Sequence, residues 1–170
     1  MKEKVTILTF LWGDWCGDWA PYYVNALFSG VLRHLDREFV FMLGADRENA
    51  EKCQRLCDER IVIQTINSPS WEGCLPKLNA YNPELGAEGK VLVFDLDSII
   101  VGELDSFVDA VDDNLTTRAW FKGIPRGVWL SGGDLLGFKA GWGDWLWELF
   151  NNFPSWIEGA VSEGGRERYI

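Results

Sequence analysis

The sequence predicts an α/β fold: one mostly parallel sheet flanked by helices, in a single domain over residues 1–170. Three observations carry this. Short apolar, β-branched runs alternate with segments of helical periodicity, the pattern of a doubly wound sheet. One run, VLVF at 91–94, is apolar at every position, as a strand covered on both faces must be. Two carboxylates, Asp95 and Asp97, follow that run at once, and open α/β sheets bind their ligands at the carboxyl ends of the strands.

Each element has its own warrant. Val5–Leu11 is a β-branched run and reads as the first strand. The turn-rich GDWCGDW follows, with Asp18 as the expected N-cap and Pro21 in the first turn of a helix running to about Leu35. Val24, Leu27, Phe28, Val31, Leu32 and Leu35 recur along it at helical spacing. Phe39–Leu43 is a second strand, and Gly-Ala-Asp at 44–46 leads from it to a polar helix over Arg47–Cys57. Ile61–Ile66 is a third strand, and a helix is expected over Leu75–Asn82. After Val91–Phe94, further strands are expected at Leu115–Phe121 and Leu135–Phe138. An aromatic-rich helix covers Trp142–Phe153, with core packing expected of Trp142, Trp145 and Trp147.

Composition narrows the function classes. The chain is 47% apolar, enough for a real core, and carries a net charge of −10. An acidic surface argues against nucleic acid or an anionic membrane as partner, since both require clustered Lys and Arg. No apolar run approaches eighteen residues, so no membrane span is expected. The start, MKEKVTILTF, lacks the long apolar stretch of a signal peptide, and the expected location is cytoplasmic. Four cysteines, at 16, 53, 57 and 74, contain no C-x-x-C pair and read as free thiols. Neither a G-x-G-x-x-G nor a P-loop sequence is present, which removes the usual dinucleotide and P-loop readings.

The most informative stretch is VLVFDLDSIIVGELD at 91–105. Carboxylates two positions apart share a face if the strand continues, and converge on one ion if it opens into a turn. Either way their repulsion is relieved by a hard cation such as Mg²⁺ or Mn²⁺, which keeps positions open for water and phosphate oxygens. The competing reading is a solvated strand-end pair that caps turns. Trp12, Trp15, Trp19 and Trp71 offer flat faces to a base or a sugar, with packing as the plainer role.

The surroundings of this motif resemble glycosyltransferase family 8, the glycogenin and galactosyltransferase relatives. The resemblance rests on PKLNAYNPEL at 76–85, VLVFDLD at 91–97, IIVGELD at 99–105 and SGGDLLGFKA at 131–140, with looser support from Gly13 and YYVNAL at 22–27. It covers about 5–140 and is most specific over 76–105. It implies a GT-A fold that moves a sugar, with retention of configuration, from a nucleotide diphosphate donor, typically UDP-linked. The acceptor would be a glycan, protein or small molecule. By the same resemblance Asp95 and Asp97 would hold Mn²⁺ or Mg²⁺, with the donor ribose beside them. Lys77 would reach the donor phosphate or sugar and act in catalysis with Asp97. Thr9, Phe10 and the turn at Gly13 would line the base, with the Asp46 loop alongside. Ser131 and Gly132 would lie near the transferred sugar.

Two departures stand out. The family takes a third metal ligand, a histidine, from its late part, whereas the single histidine here is His34 in the first helix. The family's Gly-Asp-Gln near the acceptor is replaced by GGRER at 164–168. The expectation is therefore a domain trimmed at its carboxyl end, with weakened activity or with donor binding but no turnover. The competing enzyme class is the haloacid-dehalogenase-like phosphatases, in which Asp95 would be the nucleophile and Asp97 the general acid. Against that class, Ser98-Ile99 follows the motif, and the acidic doublet Asp112-Asp113 comes too soon after it.

Overall fold

The computed structural model describes residues 3–68, 73–113, 116–117 and 135–155. Its order is β1 (Val5–Leu11), α1 (Ala20–His34), β2 (Phe39–Ala45), α2 (Arg47–Leu56), β3 (Ile61–Thr65), β4 (Lys90–Phe94), α3 (Asp105–Ala110), β5 (Thr116–Thr117), β6 (Leu135–Lys139) and α4 (Asp144–Asn152). Short 3-10 helices cover Gly17–Trp19, Leu75–Tyr81 and Pro83–Leu85. The strands form one sheet in the order β3-β2-β1-β4-β6-β5. β1, β2, β3 and β4 are mutually parallel, while β6 runs antiparallel to β4 and β5 antiparallel to β6.

The alternation of side chains along β1 builds the two layers. Val5, Ile7 and Leu11 face a core formed with Val24, Leu27, Phe28 and Val31 of α1, Cys53 of α2 and Val108 of α3. Leu8 and Phe10 face the other core, with Met42, Leu78, Tyr81, Phe138 and Phe150. β4 contributes to both, Leu92 and Phe94 to one side and Val91 and Val93 to the other, and all five of its residues are buried. The apolar run at 91–94 is thus a central strand, as its composition predicts.

Local expectations fare unevenly. Leu75–Tyr81 is a 3-10 helix and not an α-helix, and all of its residues but Lys77 are buried. Asp18 does not cap α1. That helix begins after Trp19 without a side-chain cap, and Asp18 instead accepts a hydrogen bond from Lys52 at 2.9 Å. Trp142 and Trp147 pack against the second core, whereas Trp145 is exposed. Of the strand expected at Leu115–Phe121, Thr116–Thr117 is a strand and the rest lies outside the described residues. Among the described residues no helix is long and apolar enough to cross a membrane.

The amino end of α3 is pinned by charge. Asp105 accepts the Asp36 backbone N–H at 2.8 Å and the Arg37 Nε–H at 2.6 Å. These donors, the backbone N–H foremost, hold its carboxyl below the ordinary carboxylate range. A pKa lowered by folding stabilises the protein above the unfolded value, about 3.9, and that stability is lost as the pH falls through the folded value. In a thermal melt series from about pH 5 to about pH 2, the wild type is expected to lose more stability than Asp105→Asn. Parallel losses would show that the pair contributes nothing.

Candidate functional site

The site begins where β4 ends. Asp95 is half-buried, Leu96 is buried in the helix-side core, and Asp97 is exposed. The Ser98 N–H donates to the Asp95 carbonyl at 3.0 Å, so the chain turns here, and the buried Leu96 leaves both carboxylates facing one cavity. That cavity has a volume of about 370 Å³. Lys77 enters it from the 3-10 helix and forms an ion pair with Asp95, their side chains only 25% and 21% exposed. Phe10, Leu11, Trp12 and Trp15 line it as well, and Trp15 is 59% exposed. The lining therefore offers charged groups to an anion with its cation and apolar side chains to a flat ring.

A larger cavity, about 810 Å³, opens at the amino-terminal end of the strands, around Lys4, Arg37, Val40 and Glu88. Its basic groups are already taken, Lys4 by Glu88 and Arg37 by Asp105 and Asp109. Parallel sheets place ligands at the other end, so the smaller cavity is the better candidate.

Of the residues expected at the site, Phe10, Lys77, Asp95 and Asp97 meet in this one cavity. Thr9 does not reach it. Its side chain is fully buried, and its hydroxyl donates to the Phe94 carbonyl at 3.0 Å, tying β1 to the end of β4. Gly13 and Asp46 sit in an adjoining cavity of about 470 Å³ with Lys52. Asp46 caps α2, accepting the Asn49 N–H at 2.9 Å, and its second oxygen accepts the Gly13 N–H at 2.7 Å. Asp46 thus fixes the turn after β1. His34 ends α1, where its carbonyl accepts the Leu104 N–H, and does not line the cavity. Ser131, Gly132 and Trp71 lie outside the described residues. Cys74 and Gly73 also line the cavity, and no pattern in the sequence marks them for it.

Hard carboxylate oxygens from Asp95 and Asp97 suit Mg²⁺ or Mn²⁺, which would complete its shell from water and phosphate oxygens. Among the described residues no third His, Cys, Asp or Glu joins them in a metal-holding group. The residues present thus fit a cation that arrives with, or is completed by, a phosphate ligand.

No family model matches the chain, and no curated protein matches it. Solved structures do. One is the galactosyltransferase LgtC in complex with donor and acceptor sugar analogs, with a TM-score of 0.58 and 18% identity over 91% of this chain. Another is the Q189E active-site mutant of LgtC, with a TM-score of 0.60 and the same identity and coverage. A third is the apo form of the glycosyltransferase GlyE from Streptococcus pneumoniae TIGR4, with a TM-score of 0.56 and 14% identity over 89% of this chain. The chain spans 64% of the length of the LgtC chains and 39% of the GlyE chain. What these likenesses establish is the fold, a single mixed α/β domain of the kind these glycosyltransferases have.

Proposed function

We propose that the chain binds a nucleotide diphosphate sugar, UDP-linked, in the cavity at the carboxyl end of β1 and β4, and transfers its sugar to an acceptor. The observation that carries this is the mixed lining of that cavity, which joins Lys77, Asp95 and Asp97 with Phe10, Leu11, Trp12 and Trp15. In this reading the ammonium of Lys77 shifts part of its charge from Asp95 to a donor phosphate oxygen. Asp95 and Asp97 would hold Mn²⁺ or Mg²⁺. The bound cation would supply neutralisation of the charge that gathers on the diphosphate as it leaves. Phe10 and Trp12 exclude water from the base, and Trp15 closes over it from the lip. The acceptor, a glycan, protein or small molecule, supplies the hydroxyl that forms the new bond to the anomeric carbon. The likeness to sugar-transferring enzymes of the same fold supports the reading.

The test is a thermal shift. UDP with Mn²⁺ is expected to raise the Tm, and UDP with EDTA far less, because a ligand that binds only the native state stabilises it by mass action. At about a hundred times its Kd the ligand adds roughly 2.7 kcal/mol. Equal shifts with and without metal would sink the carboxylate–cation part of the reading, and no shift with any nucleotide sugar would sink the whole. Beryllium fluoride with Mg²⁺ is expected to leave Asp95 unmodified; a fluoride adduct on Asp95 would make the chain a phosphatase instead.

A further inference from the structure

Gly44 lies on β2, directly opposite Phe10 of β1 in the parallel register. A Cβ built on Gly44 would stand 2.6 and 2.7 Å from two carbons of the Phe10 ring, well inside van der Waals contact, and 3.3 Å from Ile66 Cγ2. The ring therefore rests its edge on the bare backbone of β2. It can lie there only because position 44 has no side chain. Ile66, itself buried at 3% exposure, blocks retreat farther along the sheet. Phe10 is buried in the second core and is also one of the residues that line the cavity shared with Lys77, Asp95 and Asp97. Gly44 has no positive φ, so alanine suits its backbone, and only the place of the ring is at issue.

We propose that Gly44 is a positioning residue that sets the width of the cavity at Phe10 by letting the Phe10 ring lie back over β2. This rests on the reading of the cavity as a nucleotide diphosphate site. A methyl group at position 44 pushes the ring away from β2, and the space open to it is the cavity. The charged groups Lys77, Asp95 and Asp97, carried on other elements, keep their geometry. Gly44 thus governs the ligand's ring and not its phosphates.

The experiment compares UDP with inorganic pyrophosphate, both in Mg²⁺, by calorimetry on the whole chain. Gly44→Ala is expected to weaken UDP about tenfold or more, the scale of one misplaced methylene-sized volume in an apolar pocket, and to leave pyrophosphate unchanged. The double variant Gly44→Ala with Phe10→Leu is expected to regain most of the UDP affinity, because the shorter side chain clears the cavity. An unchanged UDP affinity in Gly44→Ala would overturn the inference. So would equal losses for both ligands, or no recovery in the double variant. A crystal structure of Gly44→Ala with the ring still in its original place would overturn it without reference to any ligand. If the wild type binds pyrophosphate but not UDP, the nucleotide reading fails first, a result distinct from these.

Discussion

Asp97→Asn is expected to remove the Mn²⁺-dependent stabilisation by UDP and to leave the unliganded protein as stable as before. Asp97 is exposed, and no hydrogen bond or ion pair of its side chain contributes to the fold among the described residues. Its neighbour differs. Asp95 is half-buried and paired with Lys77, whose ammonium already offsets the second negative charge at the strand end. Relief of carboxylate repulsion in Asp97→Asn is therefore small, and the Tm without ligand should stay level or rise slightly. UDP affinity in Mn²⁺ should fall about a hundredfold, roughly 2.7 kcal/mol, since a neutral amide is a poor ligand for a hard cation. Asp95→Asn is expected to lose the same binding and also to lower the unliganded Tm, because it strands a partly buried lysine. Calorimetry and melting curves on the two variants read both effects. Full Mn²⁺-dependent UDP binding by Asp97→Asn would remove Asp97 from the site.

Gly89→Ala is expected to be the most damaging single methyl addition described here. Gly89 has φ +68°, and a Cβ there would stand 2.1 Å from the Lys4 carbonyl oxygen. That oxygen accepts the Lys90 N–H at 3.0 Å, and the Gly89 carbonyl accepts the Ala140 N–H at 2.9 Å. The residue therefore sits where β1, β4 and β6 are joined at their ends. Left-handed backbone alone costs a residue with a Cβ about 1–2 kcal/mol. Displacing the Lys4 backbone adds to this, and a total near 3 kcal/mol is expected, or roughly 6–12 °C in Tm for a chain of this size. Gly86 provides the control. Its φ is +70°, but nothing lies within 4 Å of its Cβ position, so Gly86→Ala should cost only the backbone part. Equal losses in the two variants would mean that the contact with Lys4 relaxes without penalty.

Burial and periodicity were legible in the sequence; strand direction and long-range pairing were not. VLVF has no polar position, so its burial inside the sheet, with Asp95 and Asp97 at its end, follows from composition. The reversal of β6 does not, because Leu135–Lys139 would read the same in either direction. Asp18 has the chemistry of a helix cap, but Lys52, 34 positions later, draws it away. Asp46 shows the reverse. Its position just before a polar helix is an N-cap signal, and the structure uses it that way. The helix at Leu75–Tyr81 was legible as a helix, but apolar residues three apart suit an α-helix as well as a 3-10 helix, so its type was not. Gly44 carries no local signal at all, since its role exists only across the β1–β2 register.

The strand order also constrains how the chain comes off the ribosome. β1 lies between β2, which begins at Phe39, and β4, which begins at Lys90. Synthesised from the amino end, the chain can dock β1 on β2 early, but the other side of β1 has no partner until β4 has emerged. For that interval a seven-residue strand, apolar except for two threonines, presents open backbone donors and acceptors. That is the geometry that recruits strands from other chains. Closing it waits on a contact more than eighty residues distant, the kind of loop closure that slows folding. The central placement of β1 thus leaves the nascent chain with an open strand edge until β4 arrives.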